Sequence, residues 1–209
     1  MDIPCHRATF SNDMMKLYLL HGSGAGHQSD FLTRFKACLE ADLNIQIEPI
    51  TLEYMKDMEH TGTKRPPPRL PKLVEEVAAS LDRNEPMILL GKSMGSRIIA
   101  ELCQTHNVKA CIALGFPFYP AKKPEKHRLI NLASSENVPY LILQGTRDAL
   151  GDRVWVSQQQ LPSNIDIQWI EGADHDFHVL KRYNKSPDQV MECLSGHIKA
   201  FLTGLKLIL

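Results

Sequence analysis

The 209-residue sequence has no surplus of either charge: 24 Lys and Arg balance 24 Asp and Glu. Binding to nucleic acid or to an anionic membrane draws on excess positive charge, so neither partner is expected. Long apolar runs are also missing. The longest are strand-sized, well short of the roughly 20 residues that cross a bilayer. The N-terminal MDIPCHRATF lacks the apolar centre of a secretory signal. The five cysteines (Cys5, Cys38, Cys103, Cys111 and Cys193) are odd in number, widely spaced and without a CxxC pair. That argues against a structural zinc site and against a disulfide framework. Buried, reduced thiols and a cytoplasmic location are the expectation. There is no internal repeat and no low-complexity linker. The remaining composition, 43% hydrophobic and 23% charged, is that of a globular protein of one domain.

Short apolar runs alternate with helical patterns, which predicts parallel strands joined by crossover helices. The expected strands are 16–20, 45–52, 87–90, 110–114, 140–144 and 165–170. Several are almost unbroken Ile, Leu and Val, as in strands covered on both faces. Ser29 is placed to cap a helix with Phe31, Leu32, Phe35 and Leu39 on its apolar face. Leu73, Val74, Val77, Ala78 and Leu81 give a second stripe, and Ile98, Ile99 and Leu102 a third. Ser186-Pro187 opens a last helix, whose apolar face carries Val190, Leu194, Ile198, Phe201 and Leu202. The expected class is α/β, a mostly parallel central sheet with helices on both faces. Residues 14–209 form the domain and residues 1–13 an extension. Residues 53–69, which end in the basic, proline-rich KRPPPR, read as an extended loop, and residues 117–127 as a loop after a strand.

Chemistry concentrates in Met87-Ile-Leu-Leu-Gly-Lys-Ser-Met-Gly-Ser-Arg97, where Gly91, Ser93 and Gly95 fit G-x-S-x-G. A strand runs into the motif and a helix out of it. A sharp turn between them strains the serine backbone and lifts its hydroxyl above the strand ends. Residues two places before and after must then be small. The amide of Met94 becomes available to an oxyanion. The fragment GKS also suggests a phosphate loop, but that motif needs a glycine where Pro86 stands.

After the first strand comes Leu20-His-Gly-Ser-Gly-Ala-Gly26. A glycine-rich turn here lets the main chain supply the second oxyanion donor, Ser23 or Gly24, with Ser23 favoured. Gly22 and Gly24 also begin a dinucleotide fingerprint, with Glu48 at ribose distance, but its third glycine is His27. His21 reads as a structural residue of the loop.

A serine hydroxyl needs an imidazole to take its proton, and the imidazole needs a carboxylate to hold its tautomer. In chain order Ser, acid, His, the strand 140–144 leads to Asp148 and the strand 165–170 to His175. Asp152 and His178 are the alternatives, one deeper in a helix pattern and the other further from its strand. His175, Asp176 and His178 have no third His or Cys at ligand spacing, so no metal is expected. The remaining histidines, among them His27 and His106, read as surface or loop residues.

In this order, HGSGAG, GKSMG, GTRD and GADHDF resemble the small α/β-hydrolases related to dienelactone hydrolase. More narrowly, they resemble a predicted-hydrolase group that includes a subunit of a histone-acetyltransferase complex. The likeness covers roughly residues 15 to 205. It implies an α/β-hydrolase fold, a catalytic Ser93, Asp148 and His175, and oxyanion donors near Ser23 and Met94. The length leaves no room for a large cap domain, so an open site is expected, and no cofactor is expected. The nucleophile of dienelactone hydrolase is a cysteine and here it is a serine, so a lactone substrate is not implied. The expected activity is cleavage of a small-molecule ester or thioester. The alternative is a binding or scaffold module with a vestigial triad.

Overall fold

A computed structural model describes residues 15–208. The expected extension 1–13 and Cys5 lie outside them. In chain order the elements are β1 (Lys16–Leu20), α1 (Asp30–Leu43), β2 (Ile47–Ile50), α2 (Glu53–Thr61), α3 (Leu70–Ser80), β3 (Met87–Lys92), α4 (Met94–Leu102), β4 (Val108–Leu114), α5 (Leu129–Ala133), β5 (Tyr140–Gly145), α6 (Arg153–Ser157), β6 (Ile165–Ile170) and α7 (Pro187–Gly204). The six strands form one parallel sheet in the order β2-β1-β3-β4-β5-β6.

Strand residues alternate between two cores. On β3, Met87 and Leu89 join one face, with Leu73, Val77, Ile98 and Leu102 of α3 and α4. Ile88 and Leu90 join the other, with Phe35, Leu39, Leu194 and Ile198 of α1 and α7. A side-chain period of two on a strand and near 3.6 on a helix accounts for both layers. The helix starts follow the expected chemistry. The Ser29 hydroxyl accepts from the Leu32 amide, and Ser186 and Gln189 form a reciprocal capping box ahead of Pro187.

Residues 53–69 depart from the expectation, because Glu53–Thr61 is helical. Its N-cap is Leu52, which offers no side-chain oxygen, and only Tyr54 and Met55 are buried. The apolar face is therefore too narrow to register as a stripe. The short helix α5 is likewise unannounced, whereas α6 follows Asp152, where a helix pattern is expected. Residues 117–127 do form a loop, with one 3₁₀ turn at Pro124–Lys126. Of the described cysteines, Cys111 is buried and Cys38, Cys103 and Cys193 are half-buried; all four are free thiols. His106 is buried rather than superficial: its ring contacts the Thr105 hydroxyl and the Ala78 carbonyl. Among the described residues, no helix is long and apolar enough to cross a membrane.

Strand order reverses between β1 and β3: β1 connects outward to β2, and β3 toward β4. In a parallel sheet this switch point opens a crevice at the carboxyl ends of the strands. The loop after β1 and the turn after β3 both end there.

Candidate active site

Ser93 sits between β3 and α4 with φ 51° and ψ −112°, a conformation that costs a non-glycine residue about 1–3 kcal/mol. Its neighbours show why the turn needs glycine. A Cβ at Gly91 would lie 2.4 Å from the Gly95 carbonyl carbon and the Ser96 nitrogen, and one at Gly95 would lie 2.8 Å from the Leu20 carbonyl oxygen. The turn thus packs directly against the end of β1. Met94 is the first residue of α4, where an amide N–H has no partner within the helix.

Asp148 follows β5 and is fully buried. Its Oδ1 accepts from the Leu150 amide at 2.7 Å. Its Oδ2 accepts from Gln144 Nε2 at 2.8 Å and from His175 Nδ1 at 2.7 Å. Because Nδ1–H donates to the carboxylate, the opposite nitrogen of neutral His175 is an acceptor. That nitrogen, Nε2, stands 2.8 Å from Ser93 Oγ. The three expected residues therefore form one hydrogen-bonded chain. Asp152 is turned elsewhere: it caps α6 and accepts from the Tyr119 hydroxyl. His178 is exposed and lies 3.7 Å from Asp174.

His21 is completely buried. Its Nε2 accepts from the Leu52 amide at 3.1 Å, so its Nδ1–H donates to the Gly22 carbonyl at 2.6 Å. Burial lowers its pKa to about 4, which keeps the ring neutral. The Tyr54 hydroxyl lies 3.3 Å from the Gly22 carbonyl and 3.1 Å from that of Ser23. Carbonyl and N–H point oppositely across a trans peptide. Drawing the Gly22 carbonyl toward His21 and Tyr54 thus turns the Ser23 N–H to the other side.

Three further residues support this geometry without a local sequence signature. Gln144, fully buried at the end of β5, also accepts from the Phe116 amide at 2.8 Å. A lone amide closing the apolar run Tyr-Leu-Ile-Leu is the one visible hint of its role. Lys92, only 7% exposed, donates from Nζ to the His175 carbonyl at 2.7 Å and lies 3.4 Å from Asp176. Burial lowers its pKa and the carboxylate of Asp176 opposes the shift. Tyr54 comes from α2, the helix that its own composition hides.

Ser93 lies between two hollows. One, of about 490 Å³, is lined by the loop after β1, Phe31, Lys92 and His175. The other, of about 370 Å³, is bounded by Met94, Arg97, Arg128 and the prolines of two loops. Ser23 and Leu150 line both.

A parallel sheet with a strained serine turn at its switch point, facing a histidine and an acid from later strands, is the arrangement of the alpha/beta hydrolases. This chain belongs to that family: the family model described as "Alpha/beta hydrolase domain" matches residues 13–203. A search of curated proteins by sequence finds no match. Among solved structures, the chain is similar to a pyrethroid hydrolase from Sphingobium faniae (TM-score 0.60, 17% identity, 90% of this chain and 96% of the other). It is also similar to an alpha-beta serine hydrolase homologue from Coxiella burnetii (0.56, 17%, 89% and 86%). A third is Est1E from Butyrivibrio proteoclasticus (0.57, 14%, 92% and 90%). At these identities the likeness is one of fold.

Proposed function

We propose that the protein is a serine hydrolase that cleaves small esters or thioesters through an acyl-serine intermediate. The observation that carries this reading is the continuous chain from Asp148 Oδ2 through His175 to Ser93 Oγ, with links of 2.7 and 2.8 Å. Ser93 Oγ attacks the carbonyl carbon while its proton passes to His175 Nε2. The imidazolium that forms is stabilised by Asp148. The N–H groups of Met94 and Ser23 receive the oxyanion. The intermediate collapses as His175 returns the proton to the departing alcohol or thiol. Water then enters, gives a proton to His175 and attacks the acyl carbon, and release of the acid restores Ser93. No step requires a cofactor. The likeness of the four motifs to small hydrolases related to dienelactone hydrolase agrees with a small substrate.

The test is active-site titration with a fluorophosphonate, with the adduct mapped by mass spectrometry. Stoichiometric labelling of Ser93, absent in Ser93→Ala, together with ester turnover abolished in that variant, is the expected result. A folded protein that takes no label would overturn the reading in favour of a binding module with a vestigial triad.

A further inference from the structure

The hollow on the α4 side of Ser93 holds two guanidinium groups, Arg97 and Arg128. Both side chains are half-buried. Arg97 stands four residues after Ser93, one helical turn along the same face of α4. Its Nε donates to Asn131 Oδ1 at 2.8 Å. The carboxylate placed to neutralise it is Glu101, one further turn along. That carboxylate is diverted: Asn131 Nδ2 donates to Glu101 Oε1 at 2.7 Å, and the Ser134 hydroxyl to Oε2 at 3.0 Å. Arg128 donates from Nη1 to the Pro117 carbonyl at 3.2 Å. Among the described residues, neither arginine forms an ion pair.

Two like charges in one partly dehydrated hollow are unfavourable unless something anionic joins them. The pKa of Arg97 falls to about 10 through burial and the nearby charge of Arg128, which outweigh the opposing charge of Glu101. By contrast, Arg65 of the basic loop is exposed and already paired with Asp57. Arg97 and Arg128 differ from it in being half-buried, unpaired and in the same hollow as the nucleophile. A planar guanidinium fork matches the oxygens of a carboxylate or a phosphate.

Resting on the hydrolase reading, we propose that Arg97 and Arg128 form an anion subsite that selects esters bearing a carboxylate or phosphate in the half that fills this hollow. The ester bond lies over Ser93 and the remote anion is held by the two arginines.

The experiment compares mono-4-nitrophenyl glutarate with its neutral methyl ester on the full-length protein. Wild type is expected to favour the anionic ester by about tenfold or more in kcat/KM, the effect of one to two charge-assisted hydrogen bonds. Arg97→Gln and Arg128→Gln should each bring that ratio toward one, with circular dichroism confirming the fold. If Arg97→Gln does not fold, Arg128→Gln and the wild-type ratio still decide. A ratio near one in wild type, or a ratio unaltered in the variants, overturns the subsite. A second arm removes chemistry: Ser93→Ala is titrated with glutarate and, separately, with inorganic phosphate by NMR. Saturable shifts at Arg97 and Arg128 are expected with at least one anion, and whichever binds identifies the group. Shifts with neither refute the proposal. Labelled Ser93 without charge preference or anion binding would remove the subsite and leave the hydrolase. Anion binding by a protein that neither labels nor turns over ester would do the reverse.

Discussion

Acid should loosen this protein through His21. In the folded chain the ring is buried and neutral, with a pKa of about 4 against an ordinary value of 6.5. The sign follows from proton uptake. Above pH 6.5 the ring is neutral in both states and contributes no pH dependence. As pH falls below that value, the unfolded chain binds a proton that the folded chain refuses, so stability declines. The decline is complete only below the folded value of about 4. Between about pH 7.5 and about pH 5 the loss is about 2 kcal/mol, rising to about 3 kcal/mol in stronger acid. The assay is urea unfolding across this range for wild type and His21→Gln, whose amide can accept from Leu52 but does not titrate. Other groups cancel in the difference, which should shrink by about 2 kcal/mol toward pH 5. A difference that is flat with pH would refute the burial argument.

Gln144→Leu should lower stability by about 2–4 kcal/mol, because it leaves the buried Phe116 amide without an acceptor and takes a donor from Asp148. It should also slow fluorophosphonate labelling of Ser93 by about tenfold or more, and an unchanged labelling rate would count against a positioning role. At residue 93 the usual order of alanine over glycine should reverse. Both substitutions remove the hydroxyl, but only Ser93→Gly relieves the positive φ. It should therefore melt above Ser93→Ala by an amount worth about 1 kcal/mol, and calorimetry showing the opposite order would refute backbone strain at this turn.

The sheet was largely legible because its central strands, β3 to β5, are buried almost throughout. Residues 16–20 and 165–170 form strands with the predicted bounds, and the others shift by a few residues at their ends. The positions of Ser93, Asp148 and His175 were readable because each lies within five residues of the end of a predicted strand. Residues acting over long sequence distances were not readable. Lys92 fills a variable position of its motif, and its bond to the His175 carbonyl joins residues that only the fold brings together. Helix α2 escaped notice because Lys56, Asp57, Glu59 and His60 outnumber its buried residues. With it went Tyr54, which fixes the loop after β1. The arginines looked ordinary in sequence, since nothing local tells that Glu101 is held by Asn131 and Ser134.

His175 arrives from β6, which is a sheet edge and pairs only with β5. Residues 140–145 are buried throughout, whereas 165–169 are at least partly exposed. Such an edge should open by local fluctuations that cost less than global unfolding, so its amides should exchange with deuterium sooner than those of β3 or β5. Each opening that carries the loop after β6 away would separate the imidazole from the serine while the elbow itself stayed folded. On warming or in dilute denaturant, loss of serine reactivity should therefore precede the loss of secondary structure.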